Sequence, residues 1–402
     1  MVEQSTKEGL GDFVCSMPTR VIFGMGKTDS VGEEAKILGS HALLVAAADS
    51  MEKIGALGTV RESLARSGVK ISIFQDVQPN PTVGSIDEVA GYCRGERCDF
   101  VVGLGGGSSI DFAKGVAIAA THSGSVWDYV GRRDYEPKPV TDKALPIVAI
   151  STTAGTGSEV TQVAVITNPD TKQKPGILSP YIFPKVAVVD PGLTLSLPPR
   201  LTASTGFDAF SHALEAFVSK FTTPFADMLA LEALRLVANN LPLAVNETNN
   251  KEARERMAWA ATLGGLAIGH AGMTVVHGIV QALGGRFDMG HGDAVALCLP
   301  EVMERTWEAR VDRFARVAEV MGISDQTMSA RESAEACIKG IKELRKAVGL
   351  DIRLAHLGIH PSPADIEELV SEHVFGYLSW AVDCHPRELS SDDVKEMIQV
   401  CL

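Results

Sequence analysis

The sequence predicts an α/β fold in which residues 1–195 form a domain around a parallel sheet and residues 196–402 form an all-α domain. Short apolar runs alternate with helical patterns through the first half, and strands separated by helices of ~10–15 residues form βαβ units. After Leu201 the chain consists of Ala- and Leu-rich periodic segments without a clear β-branched run, which is typical of helices. Two domains also suit a chain of 402 residues, because single cores stop growing at ~250–300 residues.

Each predicted element follows from a local pattern. Six apolar runs predict strands at residues 21–23, 41–47, 69–74, 99–103, 145–150 and 186–190. Between them, periodic segments predict helices at residues 51–67, 83–95 and 109–120. In the second half, helices are predicted at residues 202–220, 224–240, 254–285, 293–321, 328–348 and 362–375.

Charge and cysteine content exclude several classes of protein. The 37 Lys and Arg residues are outnumbered by 50 Asp and Glu residues, which gives a formal charge of −13 and disfavours a nucleic-acid partner. Residues 1–12 are polar and contain no apolar stretch, so we expect neither a signal peptide nor a membrane span, and hence a cytoplasmic protein. The seven cysteines are scattered and odd in number, which indicates free thiols.

A run of glycines joins the predicted strand 99–103 to the predicted helix 109–120. It consists of Gly105, Gly106 and Gly107, followed by Ser108. Glycines let a backbone approach a pyrophosphate closely, and a helix N-terminus supplies N–H donors to it. A tight turn without a ligand is the alternative, but three consecutive glycines favour the phosphate site of a dinucleotide-binding domain.

Two further features fit such a site. Thr152, Thr153 and Thr156 follow the predicted strand 145–150 in a loop of small hydroxylated residues, which suits a ligand rich in oxygen, although an ordinary solvated turn has the same composition. Asp49 follows the predicted strand 41–47, where an acid hydrogen-bonds the adenosine ribose and repels a 2′-phosphate. A solvated turn is the alternative for Asp49 as well.

Four side chains in the helical half form a candidate metal site. Asp208 and His212 are four residues apart and therefore share one helix face. His277 lies in a later segment, and His291 follows it after several glycines that let the chain turn back. One carboxylate and three imidazoles suit Fe(II) or Zn(II). Each histidine alone is more often a packing residue, but the combined spacing favours coordination.

With these residues identified, the whole chain resembles the iron-containing (group III) alcohol dehydrogenases. The strings that carry the resemblance are Gly-Gly-Gly-Ser at 105–108, Thr-Thr-Ala-Gly-Thr-Gly-Ser-Glu at 152–159, Asp-Pro-Gly-Leu at 190–193 and Thr-Gly-Phe-Asp-Ala at 205–209. The resemblance implies an oxidoreductase that transfers a hydride between NAD, or NADP, and a small alcohol, aldehyde or ketone. It also implies Fe(II), with Zn(II) as the alternative, and a homodimer or larger homo-oligomer.

The resemblance assigns roles to individual residues. It implies that the Gly105–Ser108 loop holds the pyrophosphate, that the three threonines and Leu193 line the cofactor site, and that Lys174 contacts the nicotinamide ribose. The metal ligands carry over onto the Asp208, His212, His277 and His291 set.

Two positions depart from the family pattern. Many members have a proton-relaying histidine where this chain has Gln281, and an amide cannot titrate, so His270, ribose hydroxyls or water must carry the proton. We expect His270 to lie on the same helix face as His277, seven residues away. Members that exclude NADP usually place their acid one position before that of Asp49, at the position that is Ala48 here.

Two other functions compete with this one. A dehydroquinate synthase-like lyase of the same fold needs clustered basic residues near the ligands, where the sequence offers only Arg286. A helical protein with a purely structural metal would leave both loops unexplained.

Overall fold

The computed structural model describes residues 12–47, 49–132 and 135–401. Its first half is built on a six-stranded parallel sheet in the order β1-β8-β5-β4-β2-β3, and a separate antiparallel hairpin pairs β6 with β7. The strands are β1 (Arg20–Phe23), β2 (His41–Ala47), β3 (Lys70–Val77), β4 (Phe100–Gly105), β5 (Ile147–Ser151), β6 (Val163–Val165), β7 (Gly176–Leu178) and β8 (Val186–Val189).

Helices cover both faces of this sheet. They are α1 (Val31–Ala35), α2 (Ser50–Lys53), α3 (Ala56–Arg66), α4 (Val83–Glu96) and α5 (Gly107–Ala119). Leu43 and Val45 belong to the core that includes α4 and α5, whereas Ala42 and Leu44 belong to the core that includes α1 and α3. Alternate residues of β2 are therefore buried on opposite faces, which explains why the strand is apolar throughout.

The strand order places a crevice next to the glycine loop. The chain runs from β2 outward to β3 and then returns to β4 on the other side of β2. The direction of winding thus reverses between β2 and β4, and ligands of open α/β sheets bind outside the carboxyl ends of the strands at such a point. Asp49 and Gly105 both lie at this edge.

The second half is helical wherever the structure describes it. Its helices are α6 (Pro199–Val218), α7 (Pro224–Asn246), α8 (Lys251–Ala271), α9 (Val275–Phe287), α10 (His291–Glu304), α11 (Val311–Val320), α12 (Ala330–Ala347), α13 (Pro363–Glu368), α14 (Ser379–Cys384) and α15 (Ser391–Val400), with a π-helical turn at Leu369–Tyr377. Helix α7 is long and apolar enough to cross a membrane, and so is the bent pair of α8 and α9 if it is counted as one span. Buried core helices have the same length and composition, so this is weak evidence for a membrane span.

The fold class is confirmed, and several predicted boundaries are wrong. The segment 254–285 is two helices at 105° to each other, because Gly272 adopts a positive φ of 72° after α8. The segment 51–67 is interrupted at Gly55, which also has a positive φ. The segment 293–321 is interrupted near residue 307. The β6–β7 hairpin was not predicted, since its three-residue strands are too short to show a pattern.

Candidate active site

Three helices bring the four candidate ligands together. Asp208 and His212 lie one turn apart on α6, His277 lies in the first turn of α9, and His291 begins α10. Their ligand atoms all lie within 4.8 Å of one another. Asp208 Oδ1 is the common centre, at 3.6 Å from His212 Nε2, 3.5 Å from His277 Nε2 and 3.3 Å from His291 Nε2.

The chemistry of this cluster fits a divalent cation. Asp208 Oδ1 and His277 Nε2 are buried and have no hydrogen-bond partner, although buried polar atoms are rarely left unpaired. Burial lowers the pKa of His212 to about 4, so its ring is neutral and able to ligate. Burial opposes ionisation of Asp208, but His212 and His291 hold its pKa well below the usual value. The set therefore offers one carboxylate and imidazole nitrogens to a single ion.

Glu215 was not predicted as a site residue from the sequence. It follows Asp208 by seven residues and lies on the same face of α6. Its Oε1 lies 2.5 Å from His277 Nδ1 and accepts a bond from Ser211 Oγ at 2.7 Å. Its Oε2 accepts bonds from Thr274 N and Oγ1 at 2.8 and 2.9 Å. This carboxylate keeps a proton on Nδ1 of His277 and leaves Nε2 facing the cluster.

The glycine loop, residues 105–108, contacts the threonine loop, residues 152–156. Gly105 has a φ of 149°, and a Cβ on Gly107 would lie 2.8 Å from Thr156 Cγ2. A Cβ on Gly106 would lie 3.2 Å from Thr153 Cγ2, whose Oγ1 is buried without a partner. Helix α5 begins at Gly107. The N–H donors at this helix N-terminus, next to Ser108 and Thr156, fit a pyrophosphate.

The remaining candidate cofactor residues lie at different depths. Thr152 N donates to Gly105 O at 3.0 Å, which joins β5 to the glycine loop. Asp49 is the N-cap of α2, and its side chain is 87% exposed at 3.9 Å from Lys53. Leu193 is half-buried against the sheet. Ala48 lies outside the described residues.

One cavity of about 1050 Å³ connects the cluster to the cofactor loops. Predicted site residues on its wall are Gly107, Ser108, Thr156, Lys174, Asp208, His212, His270, His277, Gln281 and His291. The other predicted cofactor residues do not line it: Asp49, Gly105, Gly106, Thr152, Thr153 and Leu193. Apolar side chains, including Ile268, Phe375 and Trp380, complete the wall. The cavity therefore has room for an elongated ligand that reaches from the glycine loop to the cluster.

The expected alignment of His270 with His277 is wrong, because the helix breaks at Gly272 between them. Both ring nitrogens of His270 are engaged: Nδ1 lies 2.7 Å from Leu266 O, and Nε2 accepts a bond from Ser16 N at 3.1 Å. Gln281 lies one turn after His277 on α9, and its Oε1 is buried without a partner. That His270 relays the proton stays a prediction, but it is no longer supported by a helix face shared with His277.

Comparison with known proteins identifies the family of this chain. Residues 18–191 match the family described as iron-containing alcohol dehydrogenase, and residues 202–402 match the C-terminal part of the Fe-containing alcohol dehydrogenase family. The 1,3-propanediol dehydrogenase of Klebsiella pneumoniae is 39% identical over 85% of this chain and 88% of that protein.

Solved structures agree as well. An archaeal halo-thermophilic alcohol dehydrogenase from a Red Sea brine pool superposes with a TM-score of 0.93 at 38% identity, covering 97% of this chain and 99% of the other. Sulfoacetaldehyde reductase from Bifidobacterium kashiwanohense, solved with NAD⁺, gives a TM-score of 0.83 at 33% identity over 97% and 99% of the two chains. Nothing in these comparisons favours the lyase alternative. The resemblance seen in the sequence is confirmed: the chain belongs to the iron-containing alcohol dehydrogenase family, whose members use NAD(H) and iron.

Proposed function

We propose that four side chains of this enzyme hold one Fe(II) ion, with Zn(II) as the alternative metal. They are Asp208, His212, His277 and His291. The main support is the pair of buried, unpartnered ligand atoms Asp208 Oδ1 and His277 Nε2 on the wall of the same cavity as the glycine loop. Iron, when bound, supplies a Lewis acid that polarises the substrate oxygen.

The substrate we propose is a small alcohol, which is oxidised to an aldehyde or ketone, or the reverse. Ile268, Phe375 and Trp380 line the same cavity as the cluster with apolar side chains, which suits an alkyl chain. Glu215 orients His277, and the glycine loop holds the pyrophosphate of the cofactor. The chain thus binds and orients both reactants on one wall.

The test is reconstitution of metal-stripped protein with Fe(II) or Zn(II), without oxygen, followed by a panel of short alcohols, diols and hydroxy acids with NAD. We expect metal-dependent formation of NADH. Asp208→Asn should lose the metal, whereas Asp128→Asn, which weakens an ion pair with Lys138 outside the cluster, should keep it. Full turnover of the stripped protein would overturn the assignment of the metal site.

We also propose that NAD is preferred over NADP. The support is the position of Asp49 just beyond β2, at the point where the winding reverses, where its carboxylate would repel a 2′-phosphate. Asp49→Asn should therefore raise kcat/KM for NADP relative to NAD. A strong NADP preference of the unsubstituted enzyme would mean that Asp49 does not face the ribose.

We further propose a cytoplasmic enzyme that works as a homodimer or larger homo-oligomer, with domains at residues 1–195 and 196–402. Free cysteines suit a reducing compartment. Exposed apolar side chains at Phe13, Val14 and Met17 favour burial against another subunit. Light scattering after gel filtration tests the oligomer, and a monomer at micromolar concentration would contradict it.

A further inference from the structure

Lys174 is a buried amine on the wall of the active-site cavity. The residue is 5% exposed and lies between β6 and β7. Its Nζ donates to Asn80 Oδ1 at 2.6 Å, and Asn80 Nδ2 donates in turn to Asp288 Oδ1 at 2.8 Å. The Asn80 and Asp288 side chains therefore hold the amine in place at the junction of the sheet and α9.

The amine also lies along the face of α9 that carries a candidate ligand. A Cβ on Gly284 would lie 3.4 Å from Lys174 Nζ. His277, Gln281 and Gly284 are spaced by four and three residues, so they share one face of the helix. The side chain between the candidate ligand and the amine is thus Gln281, an amide whose buried Oε1 has no partner.

The surroundings of the amine adjust its protonation. Burial lowers the pKa of Lys174 to about 8, while Asp111, Asp288 and Asp208 act in the opposite direction. Asp111 is itself held by Ser158 Oγ and Val165 N. On the side of the π-helical turn, Tyr377 Oη accepts a bond from Lys174 N and lies 2.9 Å from His373 Nδ1. A proton acceptor works best when it titrates near the working pH.

We propose that Lys174 takes up the proton that the alcohol hydroxyl loses during oxidation, in place of the histidine that this chain lacks at position 281. The inference rests on the proposed function. The alcohol loses a hydride, which NAD accepts in the family's reaction, and a proton, which reaches the neutral amine through cavity water and then passes to solvent. Reduction of the aldehyde runs the same transfers backwards, from the protonated amine.

The geometry favours Lys174 over His270. Both His270 nitrogens are already engaged by Leu266 O and Ser16 N. The Lys174 Nζ donates to Asn80 Oδ1, which occupies one of the three donor positions of an ammonium. Because the residue lies on the cavity wall, its amine can exchange a proton with cavity water, whereas His270 has no ring nitrogen left for this.

The first experiment measures kcat for alcohol oxidation against pH in Lys174→Met, with Lys172→Met as the matched control because Lys172 is exposed and two residues away. In the unsubstituted enzyme kcat should rise through pH ~8. Lys174→Met should lose that inflection and about 10²–10⁴-fold of kcat, the scale of general acid–base catalysis. Lys172→Met should keep both. If Lys174→Met does not fold, Lys174→Arg replaces it, because a guanidinium stays protonated throughout this range.

The second experiment needs neither metal nor cofactor. Competitive acetylation of the stripped protein from pH 6 to pH 11, read out by peptide mass, should give a midpoint near 8 for Lys174. A midpoint above pH 10 for Lys174 would overturn the proposal. This measurement remains valid even if no alcohol is oxidised, in which case the proposed function alone has failed.

Two kinetic outcomes would also overturn the proposal. In the first, Lys174→Met raises KM for NAD but keeps kcat and its inflection, which means that the lysine only holds the cofactor. In the second, His270→Ala removes the inflection and Lys174→Met does not, which assigns the proton to His270.

Discussion

Glu215 Oε1 lies 2.5 Å from His277 Nδ1, and both side chains are almost completely buried. The carboxylate also accepts bonds from Ser211 and from both donor groups of Thr274, at the break between α8 and α9. Burial opposes its ionisation, but His277 and these donors lower the pKa of Glu215, so it stays an acceptor. The position and the tautomer of His277 therefore depend on Glu215, which does not itself face the cluster.

Glu215→Gln should weaken metal binding by about 10–100-fold, the usual effect of losing the partner of a ligating histidine. The amide is isosteric but donates on one side, so it favours the wrong tautomer of His277. Metal content after dialysis against a graded chelator gives the affinity. Glu232→Gln, on an exposed ion pair with Arg235, is the control. Equal metal affinities of the two variants would show that Glu215 does not contribute to metal binding.

His291→Ala should lose both metal and turnover, since three remaining ligands bind an ion weakly. His291 is the most exposed of the four, with a side chain that is 31% exposed, so a cavity in the core is not the cause of the loss. Metal analysis of the purified variant decides the point, with the exposed His360→Ala as the control. Full occupancy by one ion per chain with normal turnover would contradict the assignment.

The sequence predicted the parts of the site that depend on local periodicity. Asp208 and His212 share a helix face by spacing alone, and Gly105 to Ser108 lie where a strand meets a helix. Glu215 continues the same spacing, but a single acid in an apolar helix gives no signal without its partner at His277. That pairing depends on how α9 packs on α6.

The position of His270 could not be predicted for a related reason. The segment around Gly272 is Ala-Gly-Met-Thr, which has no proline or cluster of turn residues to mark a break. Periodicity therefore extended one helix through a 105° bend. The break is stabilised by tertiary contacts, including those of Thr274 with Glu215. Local patterns contain no information about such contacts.

Gly265→Ala should destabilise the protein and weaken NAD binding. A Cβ on Gly265 would lie 2.7 Å from both Cα and O of Gly157, so α8 contacts the threonine loop backbone to backbone. Overpacking of this kind costs about 1–3 kcal/mol. A Cβ on Gly269, on the same helix, would meet open space, and Gly269→Ala should raise stability because alanine favours a helix. Urea unfolding gives the free energy of unfolding of both variants. Equal values would mean that the threonine loop shifts freely to make room for the added Cβ.

The last prediction concerns Lys114, which is completely buried beneath the threonine loop. Its Nζ donates to Ser158 O at 2.8 Å, to Ser158 Oγ at 2.9 Å and to Val163 O at 2.7 Å. Burial lowers the pKa of Lys114 to about 8, against 10.5 for an ordinary lysine. Between these values the unfolded chain binds more protons than the folded one, so this group makes the free energy of unfolding rise with pH.

Lys114→Met should remove that contribution. The variant should be less stable overall, because the Ser158 and Val163 carbonyls lose their donor, and the stability difference from the unsubstituted protein should widen as pH rises from 8 to 9. Burial also lowers the pKa of Lys174 and raises the pKa of Cys93. Both residues are present in both proteins, so their contributions cancel in the difference. Urea unfolding at several pH values measures it, with the exposed Lys36→Met as the control for loss of a positive charge. A difference that stays constant over this range would mean that Lys114 keeps its proton when folded, held by its acceptors and by Asp111 at 3.9 Å.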